Sequence, residues 1–348
     1  MNNKGFTLVE LLAVIVILAI VLAIAIPSIS NIINNSEKSS FVSSTKLLIK
    51  AVQIKLLEDE TFDITTINKS NMKTLLNISG DNYSSVSFRY DNNGKIYANI
   101  EGADKWSNYV SCGNYENISI SDCIIKEGLV SYIDAGNNES YPGSGTNWYD
   151  LSGTGTNCTL ANGPTYDSNN MGSIYFDAVD DIVRCGNSAN LRITDKITIM
   201  GFVKPNSDNI NVSPIACKWS GTANQRAYYF GFSNKKAWFA LSSNGLGGYP
   251  TVTSNTSLIN NNWYHIAVTW DKSIGDMNIY INGVFDAKTA NVKNSIFDSN
   301  RQYSIGSEDA GYAPTTRRNI SVVQLYNRAL SESEIKNNFN AMRQRYGL

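Results

Sequence analysis

The chain has 348 residues, more than a single hydrophobic core usually serves, so about two domains are expected. Its 29 Lys and Arg against 30 Asp and Glu leave a formal net charge of −1, which gives the whole chain no electrostatic footprint for nucleic acid. One histidine, His265, is the single possible centre for histidine-based catalysis, and no CxxC spacing or Walker A stretch occurs, so zinc and P-loop chemistry find no support.

The first element is MNNKGFTLVELLAVIVILAIVLAIAIPSIS. A polar leader with Lys4 meets Gly5; from Phe6 to Ile26 everything is apolar or small except Thr7 and Glu10, and Pro27 follows. About 20 such residues span a bilayer as a helix. A carboxylate within the hydrocarbon costs roughly 2–4 kcal/mol unless paired, so Glu10 reads as functional. A secretory signal peptide would need a small-residue cleavage site after the apolar core, and Ala23-Ile24-Ala25, with Pro27 close behind, serves poorly.

The run Gly5-Phe6-Thr7-Leu8-Val9-Glu10-Leu11-Leu12 resembles the class III signal of type IV pilins and pseudopilins. The resemblance implies a leader over residues 1–5, cut by a prepilin peptidase between Gly5 and Phe6. It implies methylation of the new Phe6 amine, storage in the inner membrane as a single-pass protein, and assembly with other pilin subunits at the cell surface. The Phe6 amine is the expected partner of Glu10 on a neighbouring subunit, a pairing that would set register whether or not it adds net stability.

The helix over 6–27 is expected to kink at Pro27 and to continue to about residue 58. Phe41, Val42, Leu47, Leu48, Ala51, Val52 and Leu56 recur at helical spacing, an apolar stripe suited to lying on a small sheet. Residues 61–83 read as an irregular connecting loop. Ser85–Tyr90 and Lys95–Ile100 alternate around the turn signal Asp91-Asn92-Asn93-Gly94, and Trp106–Ser111 reads as a further strand. The whole of 6–126 is thus expected to be an α+β pilin domain, a long N-terminal helix plus a small antiparallel sheet. The resemblance also suggests that Cys112 and Cys123 close a disulfide loop at the edge of that domain.

From residue 127 to 348 short alternating runs separated by Asn, Gly, Ser and Asp argue for an all-β sandwich. Ile197–Val203, Ala227–Phe232, Trp263–Trp270 and Met277–Ile281 are examples, the last closed by Asn282-Gly283. The stretches Asn147–Gly153, Phe176–Asp181, Trp263–Thr269, Ile279–Gly283, Tyr303–Gly306 and Val322–Leu330 resemble, in order and spacing, the laminin G-like (concanavalin A-like) jelly roll. Ser331 and Glu334 form a capping box for a terminal helix through about Arg345. No second apolar span and no LPxTG-like stretch follow, so polymerisation through the N-terminal helix is the expected attachment to a cell.

Candidate sites in this second half are sparse. Cys158 and Cys185 would pair if their strands are neighbours, leaving Cys217 a buried single thiol; connectivity itself is not readable from sequence. Asp177, Asp180 and Asp181 fit a structural turn, with Ca²⁺ binding as the alternative; the family's Phe-Asp-Gly-x-Asp-Asp pattern has Ala178 in place of Gly. His265 sits within an alternating strand and reads as structural. Trp148, Tyr149, Tyr228, Tyr229, Trp238 and Tyr249 are the aromatics that could stack on sugar rings, with Tyr249, beside Gly245-Leu246-Gly247-Gly248, and Trp148 the ligand-binding candidates. No Glu-x-Asp-x-Glu stretch, which some glucanases on this sandwich carry, is present. A non-enzymatic pilus subunit displaying a jelly roll toward an extracellular glycan or a host or surface protein is therefore the expected function. The alternatives are a pseudopilin of a type II secretion-like machine and a filament-displayed carbohydrate-active enzyme.

Overall fold

The computed structural model describes residues 33, 35–90, 94–106, 109–120, 123–207, 212–310 and 316–348. The expectations on Gly5, Phe6, Glu10 and Pro27 lie outside the described residues, among which no helix is long and apolar enough to cross a membrane. The chain divides into two compact units between Cys123 and Ile124.

In the first unit a helix over residues 35–58 (α1) buries Phe41, Thr45, Leu48, Ile49 and Val52, one face at the 3.6-residue period. That face joins one core with Val86, Phe88, Ala98 and Ile100 of an antiparallel sheet. The sheet runs in order β1 (Tyr83–Tyr90), β2 (Ile96–Gly102), β3 (Val110–Gly113), β4 (Ile118–Ile120). The stretch 61–83, read as irregular, contains a 3₁₀ turn at Ile64–Thr66 and a short helix α2 (Met72–Leu76) that stops at left-handed Asn77. Trp106 does not begin a strand as its sequence suggests. It closes the 3₁₀ turn Asp104–Trp106 and packs its ring 5.3 Å from Phe41, because filling the core outweighs local alternation there. Cys112 and Cys123 are disulfide-bonded across 11 residues.

The second unit begins three residues before the expected residue 127. Ile124 and Ile125 are already buried in its core, the Ile125 amide donates to Asn338 Oδ1 at 2.9 Å, and the Tyr326 hydroxyl donates to the Ile125 carbonyl at 2.9 Å. Its strands are β5 (Leu129–Asp134), β6 (Asn147–Trp148), β7 (Cys158–Ala161), β8 (Thr165–Asp167), β9 (Ser173–Phe176), β10 (Ile182–Arg184), β11 (Lys196–Pro205) and β12 (Ser213–Lys218). There follow β13 (Arg226–Ser233), β14 (Lys236–Gly245), β15 (Thr251–Ser257), β16 (Tyr264–Asp271), β17 (Met277–Ile281), β18 (Val284–Thr289), β19 (Ser304–Ile305) and β20 (Arg318–Tyr326). One sheet has the order β15-β14-β13-β12-β19-β10-β7-β6; the other has β18-β17-β16-β11-β20-β9-β8, with β5 also on β20. The result is an all-β sandwich.

Between the sheets lie Ile197, Ile199 and Val203 of β11, Ile266, Val268 and Trp270 of β16, and Phe230, Phe232 and Phe239 of the opposite sheet. The other face of β11, β16 and β20 is also buried, under a helix α3 (Glu332–Met342) and a following 3₁₀ turn: Met200, Phe202, Ala267 and Val322 meet Ile335, Phe339 and Tyr346. A β-bulge sets the parity of β20. Phe202 opposes Val322 and Val203 opposes Ile320, so Ser321 is the extra residue, and Ile320 and Val323 can both face the inner core. The β17–β18 turn uses Asn282 and Gly283 at φ 51° and 74°, and a Cβ on Gly283 would press into the Phe339 ring, so turn and helix docking both require glycine.

Candidate binding face

Several residues that look functional in the sequence turn out to build the fold. Trp148, expected as a ligand contact, is fully buried and presents no face to solvent; its ring lies edge-on to Tyr141 at 6.4 Å, because β6 enters the sandwich core. Tyr228 is likewise core, its hydroxyl donating to the Leu191 carbonyl at 3.1 Å, whereas Tyr149 is exposed. Asp150, two residues after Trp148, accepts the Tyr132 and Ser152 amides on Oδ1 and the Ser152 hydroxyl on Oδ2, anchoring that loop to β5. His265 is buried between Phe202 and Phe339, with ring centroids 4.8 and 5.5 Å away. Burial pushes it down to about 3, so it is a neutral core imidazole at physiological pH. Cys158 and Cys185 are disulfide-bonded, and burial pushes the Cys217 thiol far above its ordinary range, as an inert core residue.

Asp177, Asp180 and Asp181 do converge, each offering an oxygen within 4.8 Å of the others. The geometry is first that of a turn. Asp181 Oδ2 accepts the Asp177 amide at 2.8 Å, Asp177 Oδ1 accepts the Val179 amide at 2.8 Å, and Ala178 takes φ 69° where glycine would be unstrained. Burial raises the Asp181 carboxyl above its ordinary range. The Asp180 carbonyl is occupied by Asn162 Nδ2 at 3.0 Å. Three carboxylate oxygens are half of the six or more that Ca²⁺ takes, and two of the three carboxylates already accept backbone amides.

Four aromatic residues gather on the outward face of β12, β13 and β14. Trp219, Tyr229, Trp238 and Tyr249 form a closed circuit of rings: Trp219 to Tyr229 5.7 Å, Tyr229 to Trp238 5.0 Å, Trp238 to Tyr249 6.4 Å and Tyr249 to Trp219 4.7 Å. The alternation of β13 and β14 explains it, since Phe230 and Phe239 point inward and their neighbours Tyr229 and Trp238 point out. Trp219 and Tyr229 form a buried base; Trp238 and Tyr249 are half-buried and keep part of each ring in solvent. Small residues make room for the circuit, for Tyr229 faces Ala240 across the strands and Trp238 faces Gly231, whose absent Cβ would meet the Tyr229 ring.

Polar groups border this apolar floor. The Arg226 guanidinium donates to the Gly221 carbonyl at 2.6 Å and Asn224 Oδ1 at 3.1 Å, and Glu308 accepts the Gly221 amide at 3.1 Å. Burial raises the Tyr249 hydroxyl above its ordinary range, Arg226 working against that shift and Glu308 with it. An aromatic floor with a guanidinium and a carboxylate at its rim can stack the apolar face of a sugar ring or an aliphatic side chain. Sequence reasoning picked out Tyr229, Trp238 and Tyr249 and missed Trp219, Arg226 and Glu308. The signal available for Trp219 was its place directly after the β12 strand pattern.

Residues 1–26 match the prokaryotic N-terminal methylation motif, and residues 177–336 match the concanavalin A-like lectin/glucanases superfamily. The chain therefore joins a type IV pilin signal to a laminin G-like, concanavalin A-like domain. Among curated proteins, the type IV major fimbrial protein FimA of Dichelobacter nodosus is 39% identical over 95 residues, 27% of this chain and 58% of that protein. The chain thus spans less than two thirds of that relative's length. Among solved structures, the binding domain of Paraclostridial Mosquitocidal Protein 1 has a TM-score of 0.51 at 15% identity, covering 62% of this chain and 52% of that one. The binding domain of Botulinum neurotoxin DC in complex with rat synaptotagmin II has a TM-score of 0.50 at 15% identity, covering 63% and 52%. At that identity the likeness is one of fold.

Proposed function

We propose that this protein is a non-enzymatic, adhesive subunit of a type IV pilus. Its N-terminal segment is cut between Gly5 and Phe6, methylated on Phe6, held in the inner membrane and then polymerised, with Glu10 receiving the Phe6 amine of a neighbour and Pro27 kinking the helix. Other pilin subunits, the prepilin peptidase and the assembly machinery are its partners. The second unit is carried to the outside of the filament and binds a glycan or a protein ligand on the face formed by Trp219, Tyr229, Trp238 and Tyr249. The observation that carries this reading is the union, in one chain, of a methylation signal with a sandwich that leaves two rings of an aromatic circuit half in solvent.

The test is binding of the purified chain to panels of polysaccharides and extracellular matrix proteins. Trp238→Ala with Tyr249→Ala should weaken capture at least about tenfold, since losing a stacked aromatic contact costs on the order of 1–2 kcal/mol per ring, while melting temperature stays near that of the parent. Undiminished capture by the double variant would reject the face. Release of reducing sugar from any bound polysaccharide would reject the non-enzymatic reading.

A further inference from the structure

Lys218, the last residue of β12, is 1% exposed, yet among the described residues no carboxylate is hydrogen-bonded to it. Its Nζ donates to Asn187 Oδ1 and to the Arg301 carbonyl, the latter at 2.5 Å, and both acceptors are neutral. Other lysines of this unit reach carboxylates: Lys196 meets Asp271 at 2.8 Å and Lys288 meets Asp276 at 3.0 Å. A buried ammonium without such a partner is costly, so the neutral amine is reached more readily than in an exposed lysine. Burial accordingly lowers the group to about 8, the charges of Asp298, Arg192 and Asp309 acting as smaller influences. Those carboxylates are engaged elsewhere, Asp298 with the Arg192 guanidinium at 2.8 and 2.5 Å and Asp309 with Arg184 at 3.6 Å. What faces the amine is a carboxamide, and Asn187 Nδ2 is itself fixed by the Asn300 carbonyl at 3.1 Å.

We propose that Lys218 and Asn187 become joined by an intramolecular amide bond. The neutral Nζ attacks Asn187 Cγ, forming the new C–N bond; the bond from Cγ to Nδ2 breaks, and a proton passes from the lysine nitrogen to the departing nitrogen. Ammonia leaves, and nothing is oxidised or reduced. Amide exchange is slow between free molecules, but two groups held in contact gain an effective concentration on the order of 10⁵–10⁸ M. The Asn187 residue is exposed, which gives the ammonia a way out.

The position has a structural use. Asn187 follows β10 and Lys218 ends β12, and these strands flank β19, only two residues long, in the sheet order. The Cys158–Cys185 disulfide already links β7 to the residue after β10. An amide from Asn187 to Lys218 carries that covalent path across this two-residue strand.

The test is the intact mass of the full chain, measured after reduction and denaturation, followed by peptide sequencing. The expected result is one ammonia less than the sequence mass, located in a branched peptide that joins Lys218 to Asn187, and lost in both Asn187→Ala and Lys218→Met. The mass of the parent chain decides the matter even where a variant fails to fold. A full sequence mass, with the Lys218 amine open to acetylation in the denatured chain, would overturn the proposal. So would an ammonia loss that maps to a succinimide at Asn187, which opens in mild alkali and leaves no branched peptide.

Discussion

His265 is a titration site placed where it cannot accept a proton without cost. It lies between Phe202 and Phe339, its Nδ1 without a hydrogen-bond partner among the described residues, and its pKa is pushed down to about 3 from an unfolded value near 6.5. Below pH 6.5 the unfolded chain binds the proton that the folded chain refuses. Stability is therefore whole above about 6.5 and is lost as pH falls toward 3, by roughly 3 kcal/mol at pH 4 from this residue. Thermal melts at pH 7 and pH 4 should converge in His265→Leu relative to the parent; an unchanged acid sensitivity would assign the effect to other groups. Trp148 makes the second point at this scale. As a core residue, its replacement by alanine should cost roughly 3–5 kcal/mol by urea unfolding, whereas Trp238→Ala, on a half-exposed ring, should cost much less. In the sequence these two tryptophans look alike, because a side chain's period gives its side of a strand but not which side is inside. Only the pairing of sheets distinguishes them.

At the scale of elements, the C-terminal helix shows local signals at their most legible. Ser331 Oγ accepts the Glu334 amide at 3.3 Å and Glu334 Oε2 accepts the Ser331 amide at 2.9 Å, as the Ser-x-x-Glu spacing predicts. Arg328 adds contacts of 3.0 and 2.7 Å to the same carboxylate. Ser331→Ala should cost about 1 kcal/mol, read as a lower denaturation midpoint with unchanged slope. The Asn282-Gly283 turn and the Met277–Ile281 strand were equally legible, since both depend on neighbours in sequence. β11, β16 and β20 were legible as strands but not as a covered layer: their two faces serve different cores, and alternation within a strand does not show that both sides are buried. The Ser321 bulge left no trace in sequence, because it is defined only by the pairing of β20 with β11. The aromatic face was half legible for a related reason. Tyr229 and Trp238 sit on one hairpin, with Arg226 at its far end, but Trp219 and Glu308 reach the face from the segments after β12 and β19.

For the whole molecule, each unit owns a core: Phe41, Leu48 and Val52 with β1 and β2 in one, and the two layers of the sandwich in the other. Separate cores predict separate unfolding, so calorimetry should resolve two transitions, of which only one survives removal of residues 124–348. Under the proposed function, cells producing the shortened chain should still assemble it into filaments visible by electron microscopy. Loss of all filaments would mean that the second unit takes part in assembly.

The clasp at Ile125 gives the sandwich a mechanical character. Under the proposed function, a ligand gripped on the aromatic face and pulled away from the cell puts tension on the backbone where the second unit begins. That tension does not reach β5 first. It meets the Asn338 carboxamide on α3 and the Tyr326 hydroxyl on β20, both closed on Ile125 at 2.9 Å. A helix 213 residues away in sequence thus works as a latch on the tether, so that the end of the domain helps to hold its beginning against load.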